Sequence, residues 1–183
     1  MNLEERFIGY LESLVKNQDR GALAQLRRGL GKPPGAAPEM HRYVVPFLPA
    51  TPSPTLEEAY YLIAALFAFW HQGKDTVASN APPNLGASLA CMVTKDNEDS
   101  IDRRFTALLK SHPRDLSHHM RQAIGFLKSK EVPVAWQQLL RDILNWEHPE
   151  GFVQRDWARA FWGRRAVWAP PALPETPEEE ITA

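Results

Sequence analysis

The sequence predicts an all-α protein, a single-domain bundle of about eight to nine short helices. Apolar residues recur every three to four positions in successive segments, which is helical spacing. No segment alternates apolar and polar residues for long enough to predict a strand. Prolines and glycines cluster between the periodic segments and mark loops. With 183 residues the chain matches one domain, and we expect that domain to span residues 1–165.

Two helices and a long connection are predicted first. The helix over about residues 2–17 is predicted by apolar residues at helical spacing, namely Leu3, Phe7, Ile8, Leu11, Leu14 and Val15. The second helix, about 19–29, turns Leu23, Leu26 and Leu30 inward and ends in glycines. Residues 31–54 hold seven prolines, and proline inside a helix costs about 3 kcal/mol. This stretch is therefore a proline-rich connection, with one short helical turn around residues 40–45.

The next helix, about 55–72, is predicted to be central. Thr55 and Glu58 have capping-box spacing at its start. Its run from Ala59 to Trp70 is apolar on nearly every side, but it is shorter than the roughly 20 residues of a membrane span. We therefore expect a buried helix and no membrane partner. A proline-containing loop and a helix over about 85–93 follow.

Four more helices complete the predicted bundle. They cover about residues 101–111, 113–129, 133–146 and 151–163, with Pro113 and Pro133 as first helical residues. Core packing is predicted for four aromatic residues, Phe105, Trp136, Trp157 and Phe161. The spacing explains Trp146, Trp162 and Trp168 less well, and one of them is a candidate for a subunit contact.

The chain ends in a segment of different composition. Residues 166–183 contain four glutamates, four prolines and no lysine or arginine, which predicts an acidic disordered tail. Without these four acids the chain has 21 basic and 18 acidic residues, or +3 in place of −1. Cys91 is the single cysteine and can form no internal disulfide, and the first residues are acidic where a signal peptide is basic. We expect a cytoplasmic protein.

Catalytic and metal motifs are absent from the sequence. The six histidines do not form the glutamate-containing i,i+4 pair of helical zinc hydrolases. The segment around Ser88 lacks the second glycine of a nucleophile elbow and falls on a predicted helix, and the GLGK segment at 29–32 lacks the strand and Ser/Thr of a P-loop. The sequence predicts no enzyme, no cofactor and no metal site. A small hydrolase that uses His118 or His119 stays open as an alternative.

Basic residues recur on the polar flanks of the predicted helices. The candidates for phosphate contact are Arg27, Arg28, Lys32, Arg103, Arg104, Lys110, Arg114, Arg121 and Lys128. Arg114, Arg121 and Lys128 are spaced by seven residues, so they are expected to face solvent beside the buried stripe. Arg27 and Arg28 have no acid within seven residues, and Arg121 and Lys128 have none between Asp115 and Glu131. Unpaired cations on one side suit a phosphate backbone. The alternative interpretation is an ordinary solvated face of amphipathic helices.

Several segments in order resemble one known family. They are ALAQLRRGLG (22–31), LGASLA (85–90), DRRFTALL (102–109), the basic helix around Arg121, VAWQQLLRDILNW (134–146) and RDWARAFW (155–162). Together they resemble the CasB family, the small subunit of the type I-E CRISPR Cascade complex. The resemblance covers about residues 22–162 and includes no catalytic signature.

The resemblance implies a wholly helical, non-catalytic subunit of a surveillance complex in antiviral defence. Two copies of such a subunit lie head to tail in the complex, so the implied partners are the other Cascade subunits, a second copy, the guide RNA, and the target and displaced DNA strands. Base pairing supplies the specificity there, and the protein contacts backbones and stabilises the R-loop. By position, Arg27, Arg28, Arg103, Arg104 and Arg121 are the first candidates for these contacts. A protein–protein adaptor without nucleic-acid contact is the alternative.

Overall fold

A computed structural model describes residues 2–163 of the chain. In this range the fold is all-α, as predicted, and contains no strand. The helices are α1 (Leu3–Lys16), α2 (Arg20–Arg27), α3 (His41–Val44), α4 (Pro54–Trp70), α5 (Leu85–Ala90), α6 (Glu98–Leu109), α7 (Pro113–Ser129), α8 (Trp136–Leu144) and α9 (Phe152–Ala158). The predicted acidic tail lies outside the described residues.

Helix α4 occupies the centre of the bundle. It contacts α1, α2, α7 and α8, and its residues from Ala59 to Ala68 are buried except Leu62. The predicted capping box at Thr55 is wrong. The Ser53 side chain accepts the backbone N–H of Leu56 at 3.2 Å, and Pro54 is the first helical residue. Proline lacks the N–H that a first helical residue leaves unpaired, so this start suits it better.

The amino-terminal helices pack on one side of α4. The capping box of α1 uses Asn2, which accepts the backbone N–H of Glu5, while the Glu5 carboxylate accepts the backbone N–H of Asn2. The long connection after α2 contains short helical turns over 38–47, around the predicted turn. It packs Met40 so tightly on Gly29 that a Cβ there would lie 2.0 Å from the Met40 sulfur. A larger residue at position 29, just after α2, would require the Met40 side chain to move.

The carboxy-terminal helices pack on α5. A Cβ on Gly86 of α5 would lie 2.3 Å from the carbonyl oxygen of Trp157 in α9, so the two backbones touch. After α9 the chain continues in one π-helical turn, Arg159–Gly163. This turn also lies against α5. The predicted last helix, 151–163, is thus an α-helix followed by a wider turn.

The prediction that Pro133 begins a helix is wrong, because α8 begins at Trp136. Residues 132–134 are buried and not helical. The carbonyl of Val132 accepts the indole N–H of Trp70 at 3.2 Å, and the carbonyl of Pro133 accepts the Ser88 hydroxyl at 3.1 Å. Contacts from α4 and α5 therefore hold this segment out of a helix.

The aromatic core agrees with the prediction. Phe105, Trp136, Trp157 and Phe161 are all buried. Trp146 is also buried, and its indole N–H donates to the carbonyl of Ser111. Trp162 is 43% exposed, and Trp168 lies outside the described residues. Cys91 is half-buried, and its thiol donates to the carbonyl of Ala87.

Candidate nucleic-acid interface

Helix α7 carries the row of three cations. Its start is fixed by Pro113 at the first position and by the His112 ring, whose Nδ1 accepts the backbone N–H of Arg114. The buried stripe is the predicted one, Leu116, Met120, Ile124 and Leu127. At about 100° per residue, the side chains of Arg114, Arg121 and Lys128 follow one flank of that stripe. This flank faces the loop that follows α2.

The loop after α2 lies beside the middle of the row. Gly31 has a φ of +76°, which favours glycine, and a Cβ there would lie 3.3 Å from a guanidinium nitrogen of Arg121. The neighbouring Lys32 lines a groove of about 400 Å³ together with Arg114. The turn of the chain at Gly31 thus places cations of α7 and of the loop side by side.

Lys128 closes the other end of the row, but it does not simply face solvent as the spacing predicts. It is half-buried: its ammonium group lies 4.5 Å from the centre of the Phe69 ring and donates to the Gln72 side chain at 3.0 Å. Burial lowers the pKa of Lys128, and the positive charges of Arg27 and Lys74 lower it further. Arg27, Lys74 and Lys128 are therefore neighbours.

These six cations form one surface, which we call the α2–α7 seam. Its members are Arg27, Lys32, Lys74, Arg114, Arg121 and Lys128. Lys74 is absent from the predicted set. It lies in the turn after α4, pairs with Glu131 at 2.9 Å and lies over the Trp70 ring. No periodic pattern marks such a turn residue, so the sequence carried no signal for it.

Charge pairing differs within the predicted set. Arg28 is neutralised by Glu39 at 3.0 Å, because the connection folds back on the end of α2. The expectation of an unpaired Arg28 is thus wrong. Among residues 2–163, no carboxylate forms an ion pair with Arg27, Lys32, Arg114 or Arg121. Glu58 and Glu147 do line the groove that holds Lys32.

Three further predicted cations form a second group, which we call the α6 group: Arg103 and Arg104 on α6, and Lys110 directly after it. Arg103 and Lys110 are exposed and seven residues apart, on the side of α6 that faces away from Phe105. The Arg104 guanidinium lies 5.8 Å from the Phe126 ring of α7. Phe126 and Arg121 project from different flanks of α7. Apart from Arg28, which Glu39 engages, the predicted cations therefore fall into the seam and this α6 group.

Several histidines of the described region have identified hydrogen-bond partners. His71 is buried; burial lowers its pKa to about 4, and its Nδ1 bonds to the carbonyl of Phe67. His112 caps α7, and His118 bonds to Gln122. Residues 2–163 contain no group of three or more potential metal ligands. None of the helices in that range combines the length and apolarity that a bilayer crossing needs.

Fold and surface together define an all-helical protein that presents fixed positive charge on two surfaces. The model of the CRISPR-associated protein Cse2 family matches residues 22–162. The CRISPR-associated protein Cse2 of Thermus thermophilus is 34% identical over 170 residues, which is 91% of this chain and 94% of the relative. The chain belongs to the Cse2 family, which confirms the resemblance to CasB found in the sequence.

Solved structures agree with this assignment. The crystal structure of CasB from Thermus thermophilus is 32% identical with a TM-score of 0.75, over 90% of this chain and 100% of that chain. A chain in a structure of a CRISPR RNA-guided surveillance complex is 29% identical with a TM-score of 0.69, over 87% of this chain and 91% of that one.

Proposed function

We propose that this chain is a non-catalytic structural subunit of a type I-E CRISPR surveillance complex, Cascade. In that complex it contacts the guide RNA, the target strand and the displaced DNA strand through their phosphates, without reading sequence, and it stabilises the R-loop. Its protein partners are the other Cascade subunits and a second copy of itself. The cytoplasm is the expected location.

The observation that carries this proposal is the seam itself. Five of its six cations form no ion pair with any carboxylate of residues 2–163, and they come from α2 with its exit loop and from α7. Cations held this close repel one another, and after burial this repulsion is the next cause of the lowered pKa of Lys128. A phosphate chain relieves that repulsion and releases its own counterions. Family membership and the matching chain in a surveillance complex support the same assignment.

Two cationic surfaces suit a protein that holds more than one strand. The seam and the α6 group project from different flanks of the α6–α7 pair. A single nucleic-acid strand can bind along one surface, whereas two strands need two separate surfaces. Because base pairing between guide and target provides specificity, such surfaces need only positive charge and a suitable shape.

Charge reversal tests the proposal separately on each surface. The seam variant carries Arg114→Glu and Arg121→Glu, and the α6 variant carries Arg103→Glu and Lys110→Glu; all four side chains are exposed. We expect each variant to weaken binding to single- and double-stranded DNA. The slope of log K against log salt should fall by about 0.7–0.9 for each phosphate that the variant no longer neutralises.

The matched control reverses two exposed cations that belong to neither surface, Arg6→Glu and Lys95→Glu. It changes the net charge by the same amount. If it weakens binding as much as the seam and α6 variants do, bulk charge and not a defined surface is responsible. Native circular dichroism in every variant is required for the comparison.

A second candidate function, a protein–protein adaptor, is favoured by Trp162. Its indole N–H is held by Asp102 at 2.6 Å and its ring packs edge-on against Phe105, yet the side chain is 43% exposed. A fixed, exposed tryptophan suits the centre of a protein interface. Equal binding to partner subunits with and without guide RNA, abolished by Trp162→Ala, would favour the adaptor.

A further inference from the structure

The carboxy-terminal segment has a charge opposite to that of the seam. Glu175, Glu178, Glu179 and Glu180 fall within six residues, and no lysine or arginine occurs after Arg165. The seam presents six cations, and only one of them, Lys74, has an ion-pair partner among the described residues. One segment of this chain therefore concentrates anions while one surface concentrates cations.

Carboxylates and phosphates are bound by the same side chains. Guanidinium and ammonium groups form charge-assisted hydrogen bonds to either anion. A short run of glutamates can therefore form the same charge-assisted hydrogen bonds with the seam cations as a short run of phosphates. Of the two cationic surfaces that residues 2–163 form, the seam is the larger, because the α6 group has three members.

The segment is long enough to reach the seam. The described chain ends at Gly163, one residue after Trp162, which packs on α6. Glu175 follows Gly163 by 12 residues, and an extended chain of that length spans at most about 40 Å. A compact domain of this size has a radius of gyration of about 15 Å. Because Trp162 packs on α6 and α6 contacts α7, a reach of about 40 Å brings the seam within range of the glutamates.

We infer that the acidic segment 175–180 docks on the α2–α7 seam and competes there with nucleic acid. The inference rests on the proposed function, because it concerns access to the same cations. Docking of the segment lowers the affinity of the seam for nucleic acid. A strand that makes many phosphate contacts displaces the segment, whereas a short or poorly placed strand does not.

The test compares full-length chains. The tail variant carries Glu175→Gln, Glu178→Gln, Glu179→Gln and Glu180→Gln, and the probe is a fluorescent single-stranded oligothymidylate measured by anisotropy. Because each exposed ion pair is weak, we expect the tail variant to bind about three- to tenfold tighter at low salt. The two affinities should converge as salt screens the contact.

A matched control removes four negative charges elsewhere. It carries Glu12→Gln, Asp96→Asn, Asp99→Asn and Glu150→Gln, four residues that do not line the seam. Docking predicts that only the tail variant gains affinity. An equal gain in both variants would mean that net charge sets the affinity, and the inference would be overturned.

Carbodiimide cross-linking gives a readout that does not depend on nucleic acid, because it joins a carboxylate to a contacting amine. We expect links from the segment to Lys32, Lys74 or Lys128 within one chain, and excess oligonucleotide should suppress them. Links only to other lysines, or only between isotopically distinct copies, would overturn the docking.

If the links form but the wild-type chain and every variant fail to bind the oligonucleotide, the proposed function fails while the contact stands. If binding is strong and the tail variant matches wild type, the inference fails and the function stands.

Discussion

The indole nitrogen of Trp157 donates a hydrogen bond to Oδ2 of Asp142 across 2.6 Å, and this bond joins α9 to α8 inside the core. The other carboxylate oxygen accepts the amide of Gln138 at 2.8 Å. Burial raises the pKa of Asp142, while these two hydrogen bonds act in the opposite direction. A buried carboxylate of this kind is tolerated because both of its oxygens have donors.

Removing the indole donor should destabilise the fold by more than the smaller side-chain volume alone. We expect Trp157→Phe to lower the free energy of unfolding by about 2–4 kcal/mol, because one oxygen of a buried carboxylate loses its charge-assisted hydrogen bond. Urea unfolding followed by circular dichroism measures it. In the Asp142→Asn background the same substitution should cost less, since no charge remains to be satisfied. Strict additivity of the two substitutions would contradict this account.

The buried His71 predicts a loss of stability in acid. Its folded pKa, about 4, lies below the ordinary value of 6.5, so the unfolded chain binds a proton more readily than the native one. The stabilisation is present above the unfolded pKa and is lost as pH falls from about 6.5 to about 4, by about 3 kcal/mol in total. Urea titrations at several pH values measure this slope. The variant His71→Phe keeps an aromatic ring against Phe67, Trp70 and Trp136 and should remove most of the slope; an unchanged slope would place the titration elsewhere.

Two glycines provide a paired test of helix packing. A Cβ at Gly86 would lie 2.3 Å from the carbonyl oxygen of Trp157, whereas a Cβ at Gly125 would meet Phe69 at an ordinary 3.6 Å. We expect Gly86→Ala to destabilise the fold by about 1–3 kcal/mol through overpacking. Gly125→Ala should be neutral or stabilise it by up to about 1 kcal/mol through helix propensity. Thermal unfolding of both variants checks the opposite signs, and equal shifts would refute the backbone contact.

Ion pairing should separate two arginines of the candidate set. Arg28 is engaged by Glu39, while Arg121 has no ion pair within residues 2–163. We expect Arg121→Gln to weaken DNA binding and to lower the salt slope by about 1. Arg28→Gln should have a smaller effect, because Glu39 already occupies the guanidinium group of Arg28. Anisotropy titrations over a range of salt compare the two, and a greater weakening by Arg28→Gln would reverse the assignment.

Helices were predicted well where burial dictates spacing. The stripe of α7 and the central position of α4 both follow from apolar periodicity, which local geometry translates directly into a buried face. Two errors lie at helix starts. Thr55 and Ser53 are both residue types that cap helices, but Pro54 favours the first helical position and therefore places the cap at Ser53. Pro133 suits a first helical position, but bonds from Trp70 and Ser88 to residues 132 and 133 hold that segment outside the helix.

The candidate site was predictable only in part. Seven-residue spacing on α7 predicts that its cations share a flank, because a helix fixes that relation locally. The meeting of the loop after α2 with α7, which comes much later in the chain, depends on tertiary packing. The same holds for the pairing of Arg28 with Glu39 across the proline-rich connection. Whether the predicted cations bind phosphate stays a prediction that the reversals above test.

Helix α4 makes the domain a single cooperative unit. Its apolar surface is divided among α1, α2, α7 and α8, so no group of these helices can separate without exposing it to water. Unfolding is therefore expected to be all-or-none. Because α4 also packs against α7 and α8, a chain cut in the connection between α4 and α5, residues 71–84, is expected to remain assembled as a complex of two fragments.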